Sequence, residues 1–259
     1  MSLKFGTDGV RGVANRELTP ELALNLGRAA ARVLGGARWL IGRDTRRSGP
    51  LLSAALAAGL ATEGVEVVGR GVVPTPGVAF LSGADHVPAV MISASHNPAG
   101  DNGIKLFSAG GLKLSDELGE RLELELTALS GQGDPRPRPM GAEVGTITSD
   151  HEAVERYRRF LAEDVVPAGC LTGLRVVLDG ANGAASELAA GVYEALGATV
   201  VAIHTQPDGL NINEVSGSTH PEALQAAVVA HGADVGLAFD GDADRVLAVD
   251  GAGDLVDGD

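Results

Sequence analysis

The chain has 259 residues, of which 44% are hydrophobic and 21% charged, a composition that suits two medium globular domains and excludes a disordered acidic chain. Its 20 Lys and Arg against 34 Asp and Glu leave a formal charge of −14, which argues against nucleic acid as a partner, since that affinity comes from cations neutralising phosphates. A single cysteine, Cys170, excludes an internal disulfide and points to a reducing, cytoplasmic setting, and the longest strongly apolar run, residues 51–61, is far short of the roughly 20 residues that span a bilayer, so no membrane partner is expected. Locally, the basic cluster of Arg43, Arg46 and Arg47 could still meet a small phosphate.

In chain order, the run TPELALNLGRAAARVLGG predicts a helix over Pro20–Leu34, with Thr19 as N-cap, Pro20 at the first helical position and Gly35 at the stop. Short β-branched runs then alternate with Ala/Leu-rich ones: a strand at 39–42, a helix at 49–63, a strand at 65–68, a helix around 77–81 and a buried strand at 89–93. A hairpin over GIKLFSAGGLKL and an acidic amphipathic helix at 115–129 follow, and the Gly/Pro-rich stretch at 130–141 approaches a domain boundary. A second unit repeats the plan: a helix at 151–163, a strand at 174–178, a Gly-rich loop at 179–183, a helix to Leu196, a strand at 199–203, a helix at 221–231 and a strand at 235–239. Pro76 precedes Ser95 at the same spacing as Pro221 precedes Asp240. The expectation is two tandem three-layer α/β/α domains with small mixed sheets, their loops at Ser95 and Asp240 occupying equivalent places beyond the carboxyl ends of strands, where ligands of open α/β sheets bind.

The densest chemistry lies in Phe239-Asp240-Gly241-Asp242-Ala243-Asp244-Arg245, straight after an apolar strand. Two carboxylates about 5 Å apart repel by roughly 3 kcal/mol at an effective dielectric of about 20, so three in five residues call for water or a cation between them. An extended chain would spread them over about 13 Å, too far for one ion with oxygen ligands at roughly 2.0–2.1 Å, so the backbone must curl, as Gly241 and Ala243 permit. A solvated acidic turn is the alternative. An EF-hand is excluded, because its sixth and twelfth places hold Arg245 and Gly251. A phosphatase with Asp240 as nucleophile stays open, although such loops read DxDx(T/V) and the fifth place here is Asp244.

The second feature is Ile92-Ser93-Ala94-Ser95-His96-Asn97-Pro98. Adjacent Ser and His side chains diverge and the GxSxG elbow is absent, so a serine hydrolase is not expected. A serine at a strand end among small and polar residues can carry a phosphoryl group; a plain polar turn with an Asn-Pro bend is the other reading.

Six motifs in one order, FGTDGVRG (5–12), GRDTRRSG (42–49), ISASHNP (92–98), DNGIK (101–105), GSTHPE (217–222) and FDGDADR (239–245), closely resemble those of the α-D-phosphohexomutases, the wording of the first favouring the glucosamine branch. The resemblance implies a phosphoserine enzyme. Ser95 would carry the phosphate, and Asp240, Asp242 and Asp244, with an oxygen of phosphorylated Ser95, would hold Mg²⁺. Arg11 and Arg245 would lie near the transferred group, Lys105 and His96 would handle a proton or contact phosphate, and Asn97 would help hold the loop. For Lys105 a solvated hairpin lysine is an equal reading. The implied reaction interconverts glucosamine 6-phosphate and glucosamine 1-phosphate through a bisphosphorylated sugar, with a hexosamine phosphate as the partner. Residues 1–146 would form the domain with the phosphoserine loop and 147–259 the domain with the metal loop. Such enzymes have four domains, so the chain is expected to be an N-terminal two-domain piece with little or no turnover alone. A relative acting on mannose or glucose phosphates and a non-catalytic phosphosugar-binding module remain alternatives.

Overall fold

The computed structural model describes residues 9–130, 134, 136–150 and 152–256. The first four residues of FGTDGVRG, His151 at the start of the expected helix, and part of the 130–141 stretch lie outside the described residues.

The first unit runs β1 (Val10–Val13), α1 (Pro20–Leu34), β2 (Arg38–Arg43), α2 (Gly49–Thr62), β3 (Glu66–Val72), α3 (Thr75–Asp85), β4 (Ala89–Ile92), β5 (Asp101–Ser108), β6 (Leu112–Lys113), α4 (Asp116–Leu129) and β7 (Ile147–Ser149). The second runs α5 (Ala153–Glu163), β8 (Arg175–Asp179), α6 (Ala189–Ala195), β9 (Thr199–Ile203), α7 (Glu222–His231), β10 (Val235–Phe239), β11 (Val246–Asp250) and β12 (Leu255–Val256). Helix α1 has the predicted ends: the Thr19 side chain accepts from the Leu22 N–H at 3.2 Å, Pro20 opens it, and Gly35 stops it at φ 69°. Strand β3 outruns its expected end at Val68, because Gly69 and Gly71 read as breakers but sit beside a register shift at Ile41/Gly42. α6 is shorter than expected, and β1, β7, β11 and β12 were not anticipated.

The sheet of the first unit has the order β1-β5-β4-β2-β3-β7, with β6 on β5; that of the second, β12-β11-β10-β8-β9. Their centres match: β4, β2 and β3 are parallel with β5 antiparallel at one side, as β10, β8 and β9 are parallel with β11 antiparallel. Both sheets are mixed, as expected. β7 carries the first sheet to Ser149, past the expected boundary at 146.

Alternation places the layers. Trp39, Ile41, Val90 and Ile92 pack with α1, α2 and α4, whereas Leu40, Ala89 and Met91 face α3. In the second sheet Val177 packs under α7, and Val176 and Leu178 turn to the opposite face with α6. Helix α5 joins the units, Phe80 of α3 stacking on its Phe160 with ring centroids 4.2 Å apart. Among the described residues no helix is long and apolar enough to cross a membrane.

Candidate functional site

The loops that leave β4 and β10 face one another. Ser95 follows β4 by three residues, is buried, and has φ 52°, a left-handed conformation that a side-chain-bearing residue keeps only when its surroundings impose it. Those surroundings are a chain of hydrogen bonds. The Ser95 N–H donates to Ser93 Oγ (2.9 Å), the Ser93 hydroxyl to Asp44 Oδ2 (2.7 Å), and Asp44 in turn accepts from the Arg46 N–H and Nε. Arg46 then donates to the carbonyls of Ser95 (2.9 Å), Asn97 (2.8 Å), Asp101 (3.0 Å) and Pro98. The expectation that Arg46 could meet a small phosphate is therefore corrected: its guanidinium is fully buried and committed to the loop.

Across the gap, Asp240 Oδ2 accepts the Ser95 hydroxyl at 2.5 Å. The acidic run curls as required: Ala243 takes φ 55° and its N–H closes onto the Asp240 carbonyl at 3.0 Å. Gly241 serves a different purpose from the one expected, since a Cβ there would lie 2.6 Å from the Ser95 carbonyl oxygen; only glycine lets the two loops come this close. One carboxylate oxygen from each of Asp240, Asp242 and Asp244 falls within 4.8 Å of the others. Lys105, on β5, is buried and places Nζ 2.7 Å from Asp242 Oδ2 and 3.3 Å from Asp244 Oδ2, so it is paired with the acidic cluster and is not a solvated hairpin lysine.

The remaining candidates gather less tightly. Arg245 Nη1 stands 3.4 Å from His96 Nδ1, so His96 faces an arginine while the Ser95 hydroxyl faces a carboxylate, and no hydrolase-like pair forms. Asn97 braces its own loop, donating from Nδ2 to Asp101 Oδ2 at 2.9 Å. Arg11 on β1 lies opposite Gly103 and so shares a sheet face with Lys105, two residues on.

Three residues with no assigned part, and Arg46 in a part other than the one expected, also build the site. Asp44 and Arg46 hold the Ser95 loop, and their clue was an Asp-Thr-Arg triplet at a strand end. Asn213 donates from Nδ2 to the carbonyls of Ser95 (2.9 Å) and Asn97 (3.1 Å), tying a loop of the second lobe to the first. Thr75 begins α3 and donates from Oγ1 to Asp242 Oδ2 at 2.7 Å.

Burial and the charge of Asp242 push the Asp240 carboxyl above its ordinary range. Burial would do the same to Asp242, but the Lys105 ammonium and the Thr75 hydroxyl outweigh it and hold that carboxyl below its ordinary range. Asp242 Oδ1 is buried and has no hydrogen-bond partner among the described residues. An orphaned buried oxygen within a crowd of carboxylates is the donor set of a hard cation.

Two α/β/α lobes that press a strand-end serine against a carboxylate cluster define an α-D-phosphohexomutase architecture. Residues 2–131 match the model described as phosphoglucomutase/phosphomannomutase, alpha/beta/alpha domain I, and residues 155–253 that of domain II. The chain is 58% identical to a phosphoglucosamine mutase of Symbiobacterium thermophilum and 55% identical to one of Moorella thermoacetica, in each case over 100% of this chain and 58% of the relative. A crystal structure of a phosphoglucomutase/phosphomannomutase family protein from Burkholderia thailandensis superposes with a TM-score of 0.79 at 32% identity, covering 95% of this chain and 54% of that one. The chain belongs to the phosphoglucomutase/phosphomannomutase family, and it spans somewhat over half the length of the curated relatives it matches. Members of this family use a metal ion, which the triad of Asp240, Asp242 and Asp244 is suited to hold.

Proposed function

We propose that the chain supplies the phosphoserine and metal halves of a phosphoglucosamine mutase, interconverting glucosamine 6-phosphate and glucosamine 1-phosphate in a reducing, cytoplasmic setting, with residues up to about Ser149 and those after it as its two domains. The observation that carries this reading is the 2.5 Å contact of the Ser95 hydroxyl with Asp240 from the opposite lobe. The sugar is suggested by the relatives, which are named phosphoglucosamine mutases.

In this reading phosphorylated Ser95 donates its phosphoryl group. A sugar hydroxyl attacks phosphorus and gives its proton to a neighbouring base, the P–Oγ bond breaks, and Oγ takes up a proton to leave as the Ser95 hydroxyl. The bisphosphorylated sugar then returns its other phosphate to Ser95 Oγ, which restores the enzyme. Arg46 and Asp44 keep Oγ at the tip of the loop throughout, which is the positioning such a transfer needs. In this reading His96 and Lys105 would handle the proton or contact phosphate, and Arg11 and Arg245 would bring positive charge towards the phosphoryl oxygens; the Arg245–His96 contact, the Lys105–Asp242 pair and the sheet face that Arg11 shares with Lys105 support it. Mg²⁺, held by Asp240, Asp242, Asp244 and the phosphorylated Ser95, would supply neutralisation of the charge on those oxygens. Asn97 keeps the loop closed on itself.

Intact mass spectrometry after incubation with a hexosamine bisphosphate tests the reading. One added phosphate is expected on the wild type and on Asp240→Asn to a reduced extent, and none on Ser95→Ala. A label that survives Ser95→Ala and disappears in Asp240→Asn would establish the aspartyl phosphatase instead.

A further inference from the structure

We infer that Thr75 is a positioning residue for the metal, the group that turns the Asp242 carboxylate so that one oxygen is committed to protein and the other is presented to the ion. The inference rests on the reading above, in which Asp240, Asp242 and Asp244 hold a divalent cation. Thr75 belongs to the other lobe, as the first residue of α3, and reaches Asp242 twice: its N–H donates to the Asp242 carbonyl at 2.9 Å and its Oγ1 to Oδ2 at 2.7 Å. Lys105 Nζ donates to the same Oδ2 at 2.7 Å. Both side-chain donors converge on one oxygen, while Oδ1 of this fully buried residue has no partner among the described residues. A carboxylate free to turn about its terminal bond would share its donors between the two oxygens. This one is locked.

The lock is Thr75 more than Lys105. The lysine ammonium sits on a flexible stem and also serves Asp244 at 3.3 Å, so it can follow the carboxylates it neutralises. Thr75 has one side-chain torsion ahead of its hydroxyl, a branched Cβ, a place in the buried first turn of a helix, and a backbone contact to the same aspartate. Its hydroxyl has no comparable freedom. Because it reaches across from the first lobe, the ion finds all its ligands oriented only when the lobes are docked. Outer partners of metal ligands act in this way, and their loss weakens metal binding.

Titration with Mn²⁺ followed by electron paramagnetic resonance of the free ion, on the full chain, reads the effect without any turnover. Thr75→Val keeps the shape and removes the hydroxyl, and it is expected to bind Mn²⁺ roughly 10-fold to 100-fold more weakly than the wild type. Thr75→Ser restores the donor and is expected to bind nearly as well as the wild type, a rescue that a purely structural role for the side chain would not produce. Circular dichroism verifies that each variant is folded; should Thr75→Val not fold, Thr75→Ala removes the hydroxyl without any steric clash and carries the same expectation. Wild-type affinity in the hydroxyl-less variant, or equal weakening in Thr75→Ser, overturns the inference. A wild type that binds no Mn²⁺, or an Asp240→Asn variant that binds it undiminished, sinks the metal reading beneath it and is recognised as such.

Discussion

Two residues show how much local tension the site region contains. Arg46 is fully buried, and its planar fork satisfies four carbonyls and Asp44 at once. Arg46→Ala would leave Asp44 as a buried, uncompensated carboxylate, and a loss of about 3–5 kcal/mol is expected in urea denaturation. Arg46→Lys is expected to recover little of it, because an ammonium cannot reproduce the fork. Val215 presents the opposite case. It is 71% exposed and has φ 48°, a conformation that a β-branched residue adopts only at a cost of about 1–3 kcal/mol. Val215→Gly removes that strain and loses almost no packing, so a gain of about 1 kcal/mol, read as a higher thermal midpoint, is expected.

At the level of elements, close approach and charge hold the outer layer of the first lobe. Helices α1 and α2 touch backbone to backbone: a Cβ on Gly59 would lie 2.1 Å from the Leu24 carbonyl oxygen, and one on Gly27 2.4 Å from that of Leu56. Gly59→Ala must push the helices apart, at an expected loss of about 1–3 kcal/mol in urea denaturation despite alanine's better helix propensity. Arg28 and Arg32 of α1 bind Glu63, Glu125 and Asp134, and Arg136 closes the cluster on Glu125 and Asp134. Hydrogen bonds from Arg136 and then Arg32 hold the Asp134 and Glu125 carboxyls below their ordinary range. A folded-state pKa below the unfolded one contributes stability that is present above about pH 4 and is lost as the pH falls through the folded value. The contribution of these groups to the urea midpoint should therefore be flat from neutral pH to about pH 4 and fall as the pH is taken lower, and the fall should be shallower in Asp134→Asn. Of the helices that bear these groups, α1 was legible at both ends, where Thr19, Pro20 and Gly35 mark them, and α4 by its acidic amphipathic run. Strand ends were not legible where a glycine continued the strand, as at Gly69 and Gly71, or where a short edge strand such as β7 or β12 carries too few residues to show a period.

For the molecule as a whole, the repeat of plan was visible in sequence because each unit spaces a helix-opening proline and a strand-end loop alike, and the matched strand orders give that spacing its geometry. The identity of the facing residues was legible too: Ser95 and the three aspartates are the chemistry-bearing residues of those loops. The braces were not, since Thr75, Asn213 and Arg46 act through contacts 100 or more positions away or through carbonyls, which leave no mark in composition or period. One consequence follows for stability. If Ser95 and the aspartates share a cation across the gap, the ion binds only the docked form, and Mg²⁺ at 100 times its Kd should add about 2.7 kcal/mol to unfolding of both lobes together. Hydrogen exchange should slow in both 92–98 and 239–245. Asp240→Asn keeps an acceptor for the Ser95 hydroxyl and removes one of three crowded charges; in metal-free buffer it should be more stable than the wild type by up to about 3 kcal/mol, and indifferent to Mg²⁺. Protection gained in the aspartate loop alone would mean that the ion is held without Ser95, and that the hydroxyl faces the cluster for a reason other than a shared metal.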